Sequence, residues 1–269
     1  MKTRRRRTRI RTVVLMAFLL AIAFAGIPGT GQCGEERPGS AELQARDVVS
    51  ALETVDTALL LTLITRHPRL PEAILTTDGV GVLGYAAAIG NTRALRILIG
   101  AGAPLDAQDN LQRTALYLAV ANEREAAALQ LIAAGANANL SDHTGASPLH
   151  LAAKLGLPGT ASGLLARGAV VDAQTVRATT PLATAAYFGH LPVVRLLGDA
   201  AADINRADVD GVTALHCATQ GKNPEVVRYL LGKGANRDAK DSLGKTPADW
   251  ARRAGDREIE GLLAGTATQ

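Results

Sequence analysis

Residues 211–238 read GVTALHCATQGKNPEVVRYLLGKGANRD, and the same plan returns at a spacing of 33 residues on either side. Gly79, Gly145, Gly211 and Gly244 stand on one ladder of that step, with Gln112 and Ala178 on its two other rungs. A second ladder runs Gly102, Gly135, Gly168, Ala201, Gly234. Two ladders holding one register mean stacked supersecondary units, each unable to bury its apolar face alone, rather than one globular core.

Aligned on that period, the first half of each unit reads Thr114-Ala115-Leu116-Tyr117-Leu118-Ala119, Ser147-Pro148-Leu149-His150-Leu151-Ala152, Thr180-Pro181-Leu182-Ala183-Thr184-Ala185, Thr213-Ala214-Leu215-His216-Cys217-Ala218 and Thr246-Pro247-Ala248-Asp249-Trp250-Ala251. A Ser or Thr hydroxyl satisfies an orphan N–H at a helix start, and Pro fits the first turn. Leu and the Ala pair then make a short inner helix. The second half carries an apolar pair on a second helix, as in Val193-Val194-Arg195-Leu196-Leu197 and Val226-Val227-Arg228-Tyr229-Leu230-Leu231. An exit Gly permits a positive φ at that helix's C-terminus. Runs such as Gly135-Ala136-Asn137-Ala138-Asn139 then lead to the next unit through an extended hairpin.

These residues resemble the T-P-L-H-x-A signature of the ankyrin repeat, over roughly residues 41–263. The resemblance implies an all-α solenoid of six to seven helix-turn-helix units with hairpin loops, degenerate caps included. The expected organisation is an N-terminal cap at 41–75, repeats at 76–108, 109–141, 142–174, 175–207 and 208–240, and a C-terminal cap at 241–265. The N-cap's second helix is expected at Thr57 to Arg66, ended by His67-Pro68. The charged face of Arg257, Glu258 and Glu260 suits a capping helix.

Departures from the pattern carry their own expectations. Gly81, Val82 and Gly84 stand where Thr, Pro and His are usual, which removes a cap, adds a flexible glycine and predicts one of the least rigid units. Glu123 and Lys222 occupy the inter-helix Gly site, and Asn122 and Gly221 are expected to take over the left-handed turn. Ala201 replaces an exit Gly, and Gly198 removes a core Leu, which predicts a local weak spot.

The resemblance implies a protein-binding module whose variable positions line a concave groove and the hairpin tips. The groove pairs are Ala88-Ile89, Ala121-Asn122, Lys154-Leu155, Tyr187-Phe188 and Gln220-Gly221. Tyr187-Phe188 stands out, because the chain has only 4 Tyr and 3 Phe and aromatics are enriched among interface hot spots. Leu155 extends that patch. Among the tips, Leu111, Val176, Val209 and Leu243 are apolar at or near one repeat position. The candidate partner-binding set is Leu111, Arg113, His143, Lys154, Leu155, Val176, Arg177, Tyr187, Phe188, Val209 and Gln220. The partner is another protein; no nucleic acid, small-molecule substrate or cofactor is expected, and the module is expected to be monomeric.

Chemistry at single residues has plainer readings. His150 and His216 follow Leu in the inner helix, where such a His bonds neighbouring loop backbone. His190 begins a second helix, His143 lies on a tip and His67 closes the cap. No two stand at a helical metal-ligand spacing. No nucleophile–base pairing or phosphate loop is present, so no catalytic or metal-ligating residue is assigned. Trp250 reads as a packing residue of the C-terminal cap.

Composition supports the architecture: 47% of residues are hydrophobic but only 3% aromatic, so the core is built from Ala, Leu, Val and Ile, which suits closely packed short helices. The formal charge of +4 comes from the N-terminus. Lys2, Arg4, Arg5, Arg6, Arg7, Arg9 and Arg11 precede any acid, and without them 22 basic residues face 25 acidic ones. The positive charge thus describes an address rather than a nucleic-acid surface. A basic segment to Thr12, an apolar run from Val13 to Ile22 and Ala23-Phe24-Ala25 form the three-part pattern of a secretory signal peptide. Cleavage after Ala25 would be followed by a flexible linker at 26–40. Export to the periplasm or outside the cell is expected. The alternative is an uncleaved anchor holding a structural scaffold at a membrane. Cys33 and Cys217 are the only cysteines and read as unpaired thiols, unless the linker folds back to join them.

Overall fold

The computed structural model describes residues 40–265, and the signal segment, Cys33 and its possible pairing lie outside them. The chain divides at Gln44, and the architecture below is that of residues 45–265. Among the described residues there are fourteen α-helices and no strand. α1 (Ser40–Glu53), α2 (Thr57–Arg66) and a 3-10 turn (Leu70–Glu72) precede six helix pairs. The inner helices are α3 (Val82–Ile89), α5 (Ala115–Ala121), α7 (Pro148–Leu155), α9 (Pro181–Phe188), α11 (Ala214–Gln220) and α13 (Pro247–Ala254). The outer helices are α4 (Thr92–Gly100), α6 (Glu125–Ala134), α8 (Pro158–Ala166), α10 (Leu191–Asp199), α12 (Pro224–Gly232) and α14 (Arg257–Ala264). Each inner helix packs on the inner helices before and after it, and the outer helices do likewise. No helix among them is long and apolar enough to cross a membrane.

Local signals start these helices. Thr114 Oγ1 accepts the Tyr117 N–H at 3.1 Å, Thr180 Oγ1 that of Ala183 at 3.2 Å, and Thr246 Oγ1 that of Asp249 at 3.2 Å. Asp249 returns the favour by accepting the Thr246 N–H at 3.0 Å, a reciprocal capping box. The core is a double column of leucines. Leu116 and Leu131, Leu149 and Leu164, Leu182 and Leu197, and Leu215 and Leu230 have no exposed surface, and each such burial is worth roughly 1.5–3 kcal/mol.

The turns keep their geometry where glycine is absent. Gln112 and Ala178 hold φ of 61° and 60° on the tip ladder, and Ala201 holds 62° on the exit ladder. At the inter-helix turn Glu123 (φ 58°) and Lys222 (φ 57°) are themselves left-handed, whereas Asn122 and Gly221 have φ of −98° and −71°. The expectation that Asn122 and Gly221 take over is therefore corrected. Stacking fixes where the chain must reverse, and the residue at that place accepts a left-handed cost of roughly 1–2 kcal/mol. Glycine is required there where the next unit reaches across. A β-carbon on Gly156 would lie 2.5 Å from the His190 ring, and one on Gly189 2.4 Å from Asn223 Oδ1.

Two further glycines that depart from the pattern have close neighbours. The space beside Gly198 is filled by the next unit, since a β-carbon there would stand 2.5 Å from Tyr229 Oη. That ring lies under Arg195 and Lys233, 5.3 and 5.5 Å from its centroid. Gly84 is a packing residue: its missing β-carbon would lie 3.1 Å from Val80 and 3.2 Å from Leu118. Gly81 supplies no side-chain cap, and the chain before α3 is tied by backbone instead, with the Val82 N–H donating to Ala73 O and the Leu75 N–H to Val80 O.

Candidate functional site

The inner helices and hairpins present two rows of side chains on a repeating frame. The tip row is held by a backbone ladder that crosses each boundary from the 76–108 unit to the C-terminal cap. Asn110 N–H donates to Asp78 O at 2.9 Å, His143 to Leu111 at 3.1 Å, Val176 to Thr144 at 2.9 Å, Val209 to Arg177 at 3.1 Å and Ser242 to Asp210 at 2.7 Å. Inside three of the hairpins a buried aspartate, Asp109, Asp142 or Asp241, gathers the turn. Asp142 Oδ1 accepts the N–H groups of Thr144 and Ala146 at 2.9 and 3.0 Å, while Tyr117 Oη donates to its Oδ2 at 2.7 Å. Burial alone would raise the Asp142 carboxyl, but the hydrogen bonds from Thr144, Tyr117 and the backbone outweigh it and hold it below its usual range. Asp241 is held low mainly by the Lys245 N–H, and it also accepts from Trp250 Nε1 at 2.9 Å. Trp250 thus pins the last hairpin and is half-buried against His216.

The histidines of the inner helices serve the same frame. His150 Nδ1 accepts the Ser147 N–H at 3.2 Å and its Nε2 faces Thr179 O at 2.9 Å, which assigns the proton to Nε2. His216 repeats the arrangement with Thr213 at 3.3 Å and Lys245 O at 3.2 Å. Burial lowers both rings' proton affinity. Cys217 is half-buried, and burial pushes its thiol up to about 12. No cluster of three or more His, Cys, Asp or Glu side chains able to hold a metal occurs among the described residues.

In the tip row Leu111, Val176 and Val209 are exposed by 40%, 73% and 61%, and Leu243 by 78%. His143 is exposed beside Leu111 O. The two tip arginines are committed within the chain. Arg113 closes on Asp109 at 2.7 Å, and Arg177 pairs with Asp210 across a unit boundary.

The second row lies at the C-terminal ends of the inner helices, about 12 Å away along an eight-residue helix. Lys154 and Gln220 are exposed and Leu155 is half-buried. Between them Tyr187 and Phe188 are exposed by 43% and 44%. Their rings meet edge to face at 5.1 Å, and Phe188 stacks on His190 at 6.3 Å, both within the favourable range for aromatic pairs. His190 Nε2 donates to Lys154 O at 3.0 Å, and Asn223 Nδ2 donates to Ala186 O and Tyr187 O, each at 2.9 Å. The aromatic pair is therefore gripped from the units on both sides. The structure brings Lys154, Leu155, Tyr187, Phe188 and Gln220 to one row and the remaining candidates to the other.

Sequence reasoning missed Asn223 and the spatial role of Gly221, because both act on a carbonyl one unit earlier. It also missed a pocket of about 170 Å³ beside Gly79, Gly81 and Gly84, although the glycines themselves were visible as departures. A family model described as ankyrin repeats, three copies long, matches residues 53–142, 83–175, 126–208, 164–241 and 202–267. No curated protein matches the chain.

Proposed function

The chain belongs to the ankyrin repeat family, whose members generally mediate protein–protein interaction, and on that premise we propose that it is a non-catalytic module that binds one partner protein through the groove centred on Tyr187 and Phe188. The observation that carries this reading is that pair. In a chain with 4 Tyr and 3 Phe, two adjacent rings stay exposed while hydrogen bonds across both unit boundaries tie down the backbone that carries them. A preorganised aromatic anchor loses little entropy on binding, and such anchors dominate interface energies. The apolar tips Val176 and Val209 supply a second line of contact. The module acts by shape complementarity as an adaptor, modulator or inhibitor.

Affinity capture with the wild-type chain and with Tyr187→Ala/Phe188→Ala tests the reading. The expected result is a discrete partner retained by the wild type and lost from a variant whose thermal unfolding is unchanged. Equal capture by both would overturn the assignment of the groove.

The basic, apolar and A-x-A order of the N-terminus supports action in an exported compartment. Sequencing the N-terminus of the protein recovered from cells tests this. A start near Gly26 is expected, and an intact Met1 on membrane-bound protein would favour the tethered scaffold.

A further inference from the structure

The exposed aromatic pair stands in a row of one charge sign. At steps of 33 residues from Tyr187 the chain carries Lys154 before it and Gln220 and Arg253 after it. From the 142–174 unit onward, the ends of the inner helices and the turns that follow read Lys154-Leu155-Gly156, Tyr187-Phe188-Gly189, Gln220-Gly221-Lys222 and Arg253-Ala254-Gly255. Those positions hold three cations and no acid. Glu123, one unit before Lys154, ends the row.

Contacts across unit boundaries set two of the cations beside the rings. The Lys154 carbonyl accepts from His190 at 3.0 Å, and the His190 ring stacks on Phe188. Gly221 abuts the Tyr187 carbonyl, and Lys222 is the next residue. Lys154 therefore stands on one side of the pair and Lys222 on the other. Arg253 continues the row by one unit, since α13 packs on α11. All three cations are exposed, and none of the ion pairs among the described residues includes any of them. In this they differ from the tip arginines, Arg113 and Arg177, which Asp109 and Asp210 neutralise.

We propose that this row docks an acidic, extended segment of the partner protein, an inference that rests on the assignment of the groove to a protein partner and adds its charge and register. Helices packed side by side stand roughly 8–10 Å apart. Three residues of a polyproline II chain advance about 9 Å and return to the same face. A segment of that form places one acid opposite Lys154, an apolar side chain three residues later on Tyr187 and Phe188, and a second acid three residues beyond that opposite Lys222. The register reads the same in either chain direction. A nucleic acid is charged at every residue. Beyond the row it meets a chain in which, without the N-terminal cations, 25 acidic residues outnumber 22 basic ones.

Fluorescence anisotropy with the full-length chain and the labelled peptide EPPFPPE tests this. Saturable binding is expected, about tenfold tighter than to KPPFPPK or to PPEFEPP, which keeps the composition but not the register. Lys154→Glu/Lys222→Glu is expected to reverse the preference between EPPFPPE and KPPFPPK. Both positions are exposed, and Glu123 already holds the left-handed turn that Lys222 holds, so thermal unfolding should be unchanged. Wild type and variant share the N-terminal cations, so equal binding of EPPFPPE by the two would overturn the proposal. So would equal affinity of the wild type for the three peptides, no binding of EPPFPPE, or tighter binding of a thymine heptanucleotide. Tyr187→Ala/Phe188→Ala separates this proposal from the groove assignment. KPPFPPK bound as tightly as EPPFPPE, with both lost from that variant, overturns the charge and keeps the groove. EPPFPPE retained by that variant overturns the groove itself.

Discussion

The Cα of Gly221 stands so close to the Tyr187 carbonyl that a β-carbon there would lie 2.0 Å from the oxygen. The φ of Gly221 is −71°, a value open to any residue, so this glycine provides space rather than unusual backbone. The carbonyl it faces belongs to one of the two exposed aromatic residues and also accepts from Asn223. Gly221→Ala is expected to destabilise the domain by about 1–3 kcal/mol through overpacking. It should also weaken partner capture by displacing Tyr187. Denaturant unfolding alongside the capture assay checks both, and an unchanged midpoint would show that the two units part freely.

Thr160 has no exposed surface, and its hydroxyl has no hydrogen-bond partner. At steps of 33 residues its column is Ala127, Val193, Val226 and Ile259. Thr160→Val keeps the shape and removes a buried, unsatisfied group. The expected gain is about 1 kcal/mol, or roughly 2–4 °C in a domain of this size. Calorimetry checks it; a loss of stability would mean that the hydroxyl has a partner in solution.

Ala201 sits at φ 62° where Gly102, Gly135, Gly168 and Gly234 hold the same turn. Ala201→Gly is expected to stabilise by about 0.5–1 kcal/mol, the relief of left-handed strain less the entropy of the unfolded glycine. Gly234→Ala should show the opposite sign. The two midpoints measured together decide the matter.

Burial lowers the proton affinity of His150 and His216 from the ordinary 6.5. Below that pH the unfolded chain binds protons that the folded chain refuses, so stability is full above about pH 7 and falls as the pH drops through 6.5. A second decline belongs below pH 4. Asp142, Asp241 and Asp249 lie under the ordinary 3.8 when folded, and their stabilisation is lost as they protonate. Unfolding midpoints of the wild type and of His150→Gln/His216→Gln between pH 7 and 5 provide the test. The slope should flatten in the variant, and parallel curves would refute the assignment.

Much of the fold was legible because its signals are local. Thr180-Pro181 starts a helix through its own hydroxyl and ring, and Leu182 and Leu197 fall on faces set by helical spacing. Tyr187 and Phe188 were legible as candidates because aromatic residues are scarce and these two occupy an outward repeat position. The grip on them was not, since Asn223 and His190 act through carbonyls 36 residues away. The neighbour of Gly198 was hidden for the same reason. That neighbour, Tyr229, occupies a position in the next unit where the other units carry Ile97, Gln130, Gly163 and Leu196.

By itself the sequence determined the period, the helices, the family resemblance and the rows on which contact residues stand. These follow from capping, propensity and spacing within a single unit. Only the tertiary structure decided which deviations are strain, which are space and which are a cavity. Glu123 and Lys222 are left-handed because stacking demands a reversal there, Gly221 is small because the Tyr187 carbonyl is close, and Gly81 and Gly84 border a pocket that Ala115 and Leu118 of the next unit also line. Each of those outcomes depends on contacts across a unit boundary, and a repeat period aligns such contacts without revealing the distances between them.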